Sequence, residues 1–486
     1  MTTGHPPPPV ARLDVDGFGD LFERFLNVVV HGRERPAPFI ALLEAHFGTD
    51  PKALPVLSEL MSIAQRPNLQ VALDSYIAGS GRSAQLVGVN SPSRAHESLG
   101  FANLLQTQWN QTTPGAPEYA ELALGGGRVL PSVDYGLYLV RDQDEPLAVL
   151  VSQPPQHGQP RLRLEILATS RERSSGLLAE LRALMRQHNV YRGKAVRFEP
   201  NPQTGGVTAT IQTLPKVRRE EVILPPSVLE RIERHTIVFS QHRDTLLAAG
   251  RHLRRGLLMH GPPGTGKTHT LSYLIGASDE WTAVIMSGRG LGMLSEAVAL
   301  ARELQPAIVV LEDVDLIAED RGMHAMMGQA PMLFELLNEM DGLEDDADIV
   351  FALTTNRVDV LERAISERPG RIDLAVEIPF PDADGRRRLV ELYGQGLTLE
   401  VTDVDGVVAK LEGTSAAFIK ELLRRAALFA AERGIAPRVT DDEMSAALTE
   451  LLESQASVAG KPSSVPGASP GDDGPARFGE GWTSYP

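Results

Sequence analysis

The chain has 486 residues, enough for several domains that each bury a core, and its 42% hydrophobic and 23% charged residues are the proportions of a globular protein. A formal net charge of −16 opposes non-specific contact with nucleic-acid backbones or anionic membranes, so a protein partner is the easier expectation. The absence of cysteine excludes disulfides and thiolate metal sites.

No run approaches the roughly 18 apolar residues of a membrane span, and the opening Met-Thr-Thr-Gly-His followed by four prolines lacks the basic and apolar regions of a signal peptide. A cytoplasmic setting is expected. Residues 1–12 are Pro-rich and read as disordered. Residues 13–127 read as a helical region with a linker: Leu21, Phe22, Phe25 and Leu26, then Leu57, Leu60 and Met61, recur at three and four, and periodicity fades from about 90 to Gly125-Gly126-Gly127. Residues 128–215 read as an α+β domain. Its strand candidates are 136–140, 147–152 and 162–167, followed by a helix carrying Leu177, Leu178, Leu181, Leu184 and Met185, and then by strand candidates 195–199 and 207–213.

From 222 to 390 strand and helix patterns alternate, as in a parallel α/β sheet. Strand candidates are 256–260, 282–286, 307–311 and 348–353, and Leu333, Leu336, Leu337 and Met340 mark a helix between the last two. Residues 391–454 read as all-helical, with Thr440-Asp-Asp-Glu443 as a capping box. Residues 455–486, rich in Ser, Gly and Pro, read as a disordered tail. His96-Glu97 is followed at 100 by glycine, so it is not a zinc-binding helix, and no His-Glu-x-x-His occurs anywhere in the chain.

Gly261-Pro262-Pro263-Gly264-Thr265-Gly266-Lys267-Thr268 is a complete phosphate loop between an apolar strand and a helix that shows Leu271, Leu274 and Ile275 at helical spacing. Its glycines let backbone N–H groups form a nest around the β- and γ-phosphates at the positive end of a helix. Lys267 supplies a mobile cation and Thr268 the hydroxyl for Mg²⁺, so the expected ligand is a nucleoside triphosphate. Such a loop needs carboxylates on a neighbouring strand, and the run 308–311 ends in Glu312-Asp313-Val314-Asp315. Glu312 would reach the metal through water, Asp313 would orient and polarise the attacking water, and Asp315 would serve a structural role.

These residues, with Phe334-Glu-Leu-Leu-Asn-Glu-Met-Asp-Gly342 and the block from Thr354-Thr-Asn-Arg-Val-Asp359 through Arg368-Pro-Gly-Arg-Ile-Asp373, resemble the AAA family of ATPases within the AAA+ superfamily. The resemblance runs from about Leu224 to Leu452. It implies a P-loop NTPase parallel sheet with a C-terminal helical lid, here preceded by the helical plus α+β N-terminal region, and it implies hydrolysis of ATP with Mg²⁺. Asn356 matches the family's sensor asparagine, while Arg368 and Arg371 match arginine fingers that reach a neighbouring subunit's nucleotide. His269 joins the phosphate loop, and Ala416 and Ala417 in Gly413-Thr-Ser-Ala-Ala417 match the lid segment beside the nucleotide. A homo-oligomeric ring, a hexamer by resemblance, acting on protein substrates or complexes is implied.

Two departures bear on function. Most AAA proteins carry Asp-Glu at the strand end. The Glu312-Asp313 order resembles the branch that assembles the mitochondrial cytochrome bc complex, and it shortens the base by one methylene, about 1.5 Å. The loop Ser287-Gly-Arg-Gly-Leu-Gly-Met-Leu294 is short and lacks the aromatic residue of polypeptide-threading relatives. Met293 and Leu294 could grip a chain weakly, or the loop could be a plain connection. Two readings stay open: a soluble ATP-driven remodelling or assembly machine, and a nucleotide-gated interaction module with slow hydrolysis.

Overall fold

The computed structural model describes residues 21–23, 25, 38–91, 99–106, 112–153, 161–201, 206–287, 293–315, 331–357 and 371–458. The expected disordered segment 1–12 and residues 459–486 of the expected tail 455–486 lie outside them. Two compact units emerge: Met1–Val222 with Pro226–Gly261 and Lys267–Ile378, and Ile223–Pro225 with Pro262–Gly266 and Pro379–Pro486.

The first unit holds two sheets. The N-terminal sheet is antiparallel, in the order β1-β7-β6-β5-β2-β3 with β4 also paired to β5. Its strands are β1 (Val56–Ser62), β2 (Arg82–Asn90), β3 (Thr113–Gly115), β4 (Glu118–Ala123), β5 (Val129–Asp142), β6 (Glu145–Ser152) and β7 (Arg161–Ala168). Alternation along β5 sends Tyr138 and Val140 into a core with helices α2 (Arg66–Ile77) and α3 (Arg171–Gln187). Leu137 and Leu139 enter the opposite core, with α1 (Pro38–Phe47) and the short helix Phe101–Leu104.

This sheet corrects the expected helical region. Leu57, Leu60 and Met61 lie in β1, which pairs with β7 from Val56↔Leu167 to Ser62↔Arg161. Long-range pairing overrides a local three-and-four spacing that a strand also tolerates. The triglycine is no linker but the turn of the β4–β5 hairpin. All three glycines have positive φ, and the Leu124 N–H donates to the Arg128 carbonyl at 2.9 Å. The expected boundary at 127/128 thus falls inside a hairpin.

The second sheet runs β14-β10-β13-β12-β11-β8-β9. Strands β10 (Arg255–His260), β11 (Thr282–Ser287), β12 (Ala307–Glu312), β13 (Ile349–Thr355) and β14 (Leu374–Glu377) are parallel. Strands β10 to β13 are buried on both faces, as their apolar runs require, whereas the edge strand β14 buries only Val376. Helices α5 (Lys267–Gly276), α6 (Leu294–Glu303) and α7 (Pro331–Asp341) connect them, after α4 (Pro226–Glu233). Strands β8 (Ala195–Asn201) and β9 (Gly206–Gln212) correct a second expectation: they do not close the preceding α+β unit but extend this sheet, with β8 parallel to β11. Met293 and Leu294, which the sequence left open as a weak grip, are 5% and 0% exposed in the core beneath α6. That burial removes them from any pore surface.

The second unit carries α8 (Ala383–Tyr393), α9 (Val404–Lys410), α10 (Ala416–Glu432) and α11 (Asp441–Val458), with a two-stranded pair of β15 (Thr398–Glu400) and β16 (Arg438–Thr440). Leu389, Leu411, Ile419, Leu422, Ala426 and Ala447 form its core. Asp382, Asp403 and Ser415 cap α8, α9 and α10, and the Thr440 N–H donates to Glu443 Oε2 at 3.0 Å, as the capping box requires. Helix α11 continues to Val458, past the expected end at 454.

Candidate nucleotide site

Strand β10 is an apolar run flanked by β13 and β14, so its end is fixed and the chain must turn there. Gly261 makes the turn at φ 140°. A Cβ there would stand 2.3 Å from the Ile378 carbonyl oxygen, so only glycine fits. Lys267 opens α5, is 7% exposed, and donates from Nζ to the Gly261 carbonyl at 2.8 Å. Burial lowers its pKa, against the opposing pull of the Asp313 and Asp315 carboxylates. Thr268 and His269 are exposed on the first turn of α5. The His269 ring Nε2 lies 3.1 Å from the Glu221 carbonyl oxygen, which ties it to the segment before the domain.

The ends of β12 and β13 bring the acidic group together. Asp313 sits at φ 50°, a left-handed conformation that aspartate tolerates better than most residues. Its N–H donates to Thr354 Oγ1 at 3.1 Å, and its Oδ1 lies 3.4 Å from Asn356 Nδ2. Asp315 is 6% exposed and accepts from the Thr355 hydroxyl at 3.1 Å and from the Asn356 N–H at 3.2 Å. It therefore pins the β13 end. Glu312 is three-quarters or more buried and faces Arg197 Nη2 at 3.7 Å.

Arg371 is bound within its own chain: Nε donates to Asp341 Oδ1 at 2.7 Å and Nη2 pairs with Asp341 Oδ2. Its Nη1 is buried without a hydrogen-bond partner among the described residues. Arg368 lies outside the described residues.

In the second unit, Pro262, Pro263, Gly264, Thr265 and Gly266 adjoin the start of α10. Gly264, at φ 76°, accepts from the Ala417 N–H at 3.0 Å, and a Cβ at Gly264 would press on Ser415 Oγ at 2.9 Å. The Thr265 hydroxyl donates to the Pro262 carbonyl at 2.9 Å. Ala416 and Ala417 thus lie beside the loop within one unit, with Ser415 capping the helix that carries them.

These residues fit a nucleoside triphosphate with Mg²⁺. Gly261, Gly264 and Gly266 have positive φ, no atom lies within 4 Å of the absent Cβ of Gly266, and the buried Lys267 is a cation held on the Gly261 carbonyl. Thr268 and Glu312 are hard oxygen donors of the kind Mg²⁺ takes. Sequence reasoning missed Arg197, Asp341 and Thr354. Asp341 and Thr354 stood inside blocks already singled out, but only tertiary structure shows what they touch.

Residues 257–380 match the ATPase family associated with various cellular activities (AAA). Over 227 residues the chain is 32% identical to the 26S proteasome regulatory subunit 8 homolog of Schizosaccharomyces pombe, covering 44% of this chain and 55% of that protein. It is 33% identical over 192 residues to proteasome-activating nucleotidase 2 of Haloferax volcanii, covering 37% and 46%. It is 31% identical over 227 residues to the ATP-dependent zinc metalloprotease FtsH 3 of Synechocystis sp., covering 44% and 36%. The chain thus spans between about a third and just over half the length of these relatives. Residues 257–380 are an AAA domain.

Proposed function

We propose that this AAA-domain chain hydrolyses ATP and uses the cycle to remodel, assemble or disassemble protein partners as a homo-oligomeric ring, a hexamer by resemblance to its family, in a cytoplasmic setting. The observation that carries the reading is the convergence of Lys267, Asp313, Asp315 and Asn356 at the ends of β10, β12 and β13. Lys267 would turn from the Gly261 carbonyl to the phosphates. Thr268 and Glu312 would hold Mg²⁺, which when bound screens the phosphate charge. Asp313 would accept the proton of a water as its oxygen bonds to the γ-phosphorus and the bond to the ADP oxygen breaks. Asn356 would hold Asp313 and the γ-phosphate in line.

Protein rather than nucleic-acid partners are favoured by the net charge of −16 and by relatives whose names place them with proteasomes and a metalloprotease. Proteolysis is not carried over, because the chain has no His-Glu-x-x-His. No helix among the described residues is long and apolar enough to cross a membrane. Arg371 would have to leave Asp341 to reach a neighbour's nucleotide, so an isolated protomer should be a poor enzyme.

The burial of Met293 and Leu294 favours a second reading, in which ATP sets an interaction state, hydrolysis is slow, and no polypeptide is threaded. Lys267→Ala tests what both readings share. Loss of nucleotide binding or turnover supports them, and normal turnover in that variant sinks the site.

A further inference from the structure

We infer that Arg197 is a positioning residue for the metal-side carboxylate: its guanidinium competes with the divalent ion for Glu312 and so sets how strongly nucleotide binding depends on Mg²⁺. The inference rests on the ATPase reading above.

Register places Arg197 there. Strand β8 pairs with β11 so that Arg197 stands opposite Ile285, and β11 pairs with β12 so that Ile285 stands opposite Val310. Val196, Phe198, Val284, Met286, Val309 and Leu311 all enter the core beneath α6. By the period of two, Arg197, Ile285, Val310 and Glu312 share the other face. The arginine therefore reaches across β11 to the last residue of β12.

The contact has the character of an adjustable charge pair. At 3.7 Å, Nη2 to Oε2 is too long for a hydrogen bond, so the attraction is electrostatic and does not lock either side chain. The side chains are 25% and 17% exposed, and Arg197 Nε is buried without a hydrogen-bond partner among the described residues. Water screens such a pair less than a surface one. Of the carboxylates Glu312, Asp313 and Asp315 at and just after the end of β12, Asp313 and Asp315 act electrostatically on Lys267, whose Nζ is bound to the Gly261 carbonyl. Arg197 is thus a cation facing the one of these carboxylates that the metal needs. It also lies outside the AAA match, on a hairpin supplied by the N-terminal segment, so metal affinity is tied to that segment.

The test is a Mg²⁺ titration of fluorescent ATP-analogue binding by the full chain, followed by anisotropy. Arg197→Met, with Arg197→Gln as a second neutral variant should the first fail to fold, lowers the half-saturating Mg²⁺ about three- to tenfold, the factor expected of one partly buried charge pair. Arg197→Lys keeps the charge and stays within about twofold of wild type. In a Glu312→Gln background the neutral substitution has no further effect, whereas a merely structural role would move both backgrounds alike. An unchanged or increased Mg²⁺ requirement in the neutral variants overturns the inference, as does an equal shift in both backgrounds. Wild-type chain that binds the analogue no better than Lys267→Ala overturns the ATPase reading instead.

Discussion

The substitution Asp313→Asn removes the carboxylate assigned to the attacking water while leaving its surroundings in place. Asparagine visits the left-handed region as readily as aspartate, so φ 50° is kept without new strain. The hydrogen bond to Thr354 Oγ1 comes from the backbone N–H and survives, and the amide Oδ1 can still accept from Asn356. The fold should change by less than about 0.5 kcal/mol. A positioned general base contributes about 10²- to 10⁴-fold, so the barrier to hydrolysis should rise by roughly 3–5 kcal/mol. Phosphate release measures the rate, anisotropy of a fluorescent ATP analogue measures binding, and thermal unfolding checks the fold. Binding and melting temperature should stay near wild type while turnover falls at least a hundredfold, by the lower bound of that range. A rate within about threefold of wild type, with the fold intact, refutes the assignment of Asp313 as base.

Arg371→Ala should cut turnover by about 10³-fold or more if the arginine stabilises the transition state in trans, and mixing it with Lys267→Ala protomers should restore part of the activity. Absence of complementation would place Arg371 in its own protomer's service, with Asp341 as its permanent partner. Gly261→Ala forces a Cβ onto the Ile378 carbonyl at a φ that alanine avoids, and should cost about 2 kcal/mol or more in urea unfolding. An unchanged midpoint would mean the β10 end is not held as described. Asp142 is pulled down to about 2: burial raises its pKa, but hydrogen bonds from Tyr76, Arg173 and Arg82 outweigh it. Its native value lies below the ordinary 3.8, so its contribution is present above about pH 4 and is lost as pH falls toward 2. That contribution is about 2 kcal/mol, and Asp142→Asn should flatten the acid limb of stability followed by urea unfolding between about pH 2 and 6. A wild-type acid limb that persists in the variant contradicts the role given to this carboxylate.

The nucleotide-binding core was legible because its signals are local. Buried parallel strands read as apolar runs at 256–260, 282–286 and 307–311, and the phosphate loop is a fixed spacing of glycines before Lys267. The N-terminal sheet was not, because strand identity there comes from pairing across the chain. Leu57 and Met61 share a face in either period, but in β1 Leu60 turns to the other face and is exposed, an arrangement that only pairing with β7 fixes. Strands 195–199 and 207–213 were recognised as strands, yet nothing local says that Ala195 should pair with Ala283 rather than with β7. Asp341 holding Arg371, Thr354 holding Asp313 and Arg197 facing Glu312 are contacts between residues far apart in sequence, which spacing does not encode.

Hydrolysis of ATP by the loop at 261–268 and the acidic end of β12, in an assembly of this chain, is the proposal on which the other assigned roles depend. Steady-state phosphate release per protomer, measured with Mg²⁺ and ATP over a wide range of protein concentration for wild type and Lys267→Ala, tests it directly. Turnover per protomer should climb with wild-type concentration and be absent in the variant. Negligible release at every wild-type concentration, or equal release by both proteins, would contradict it.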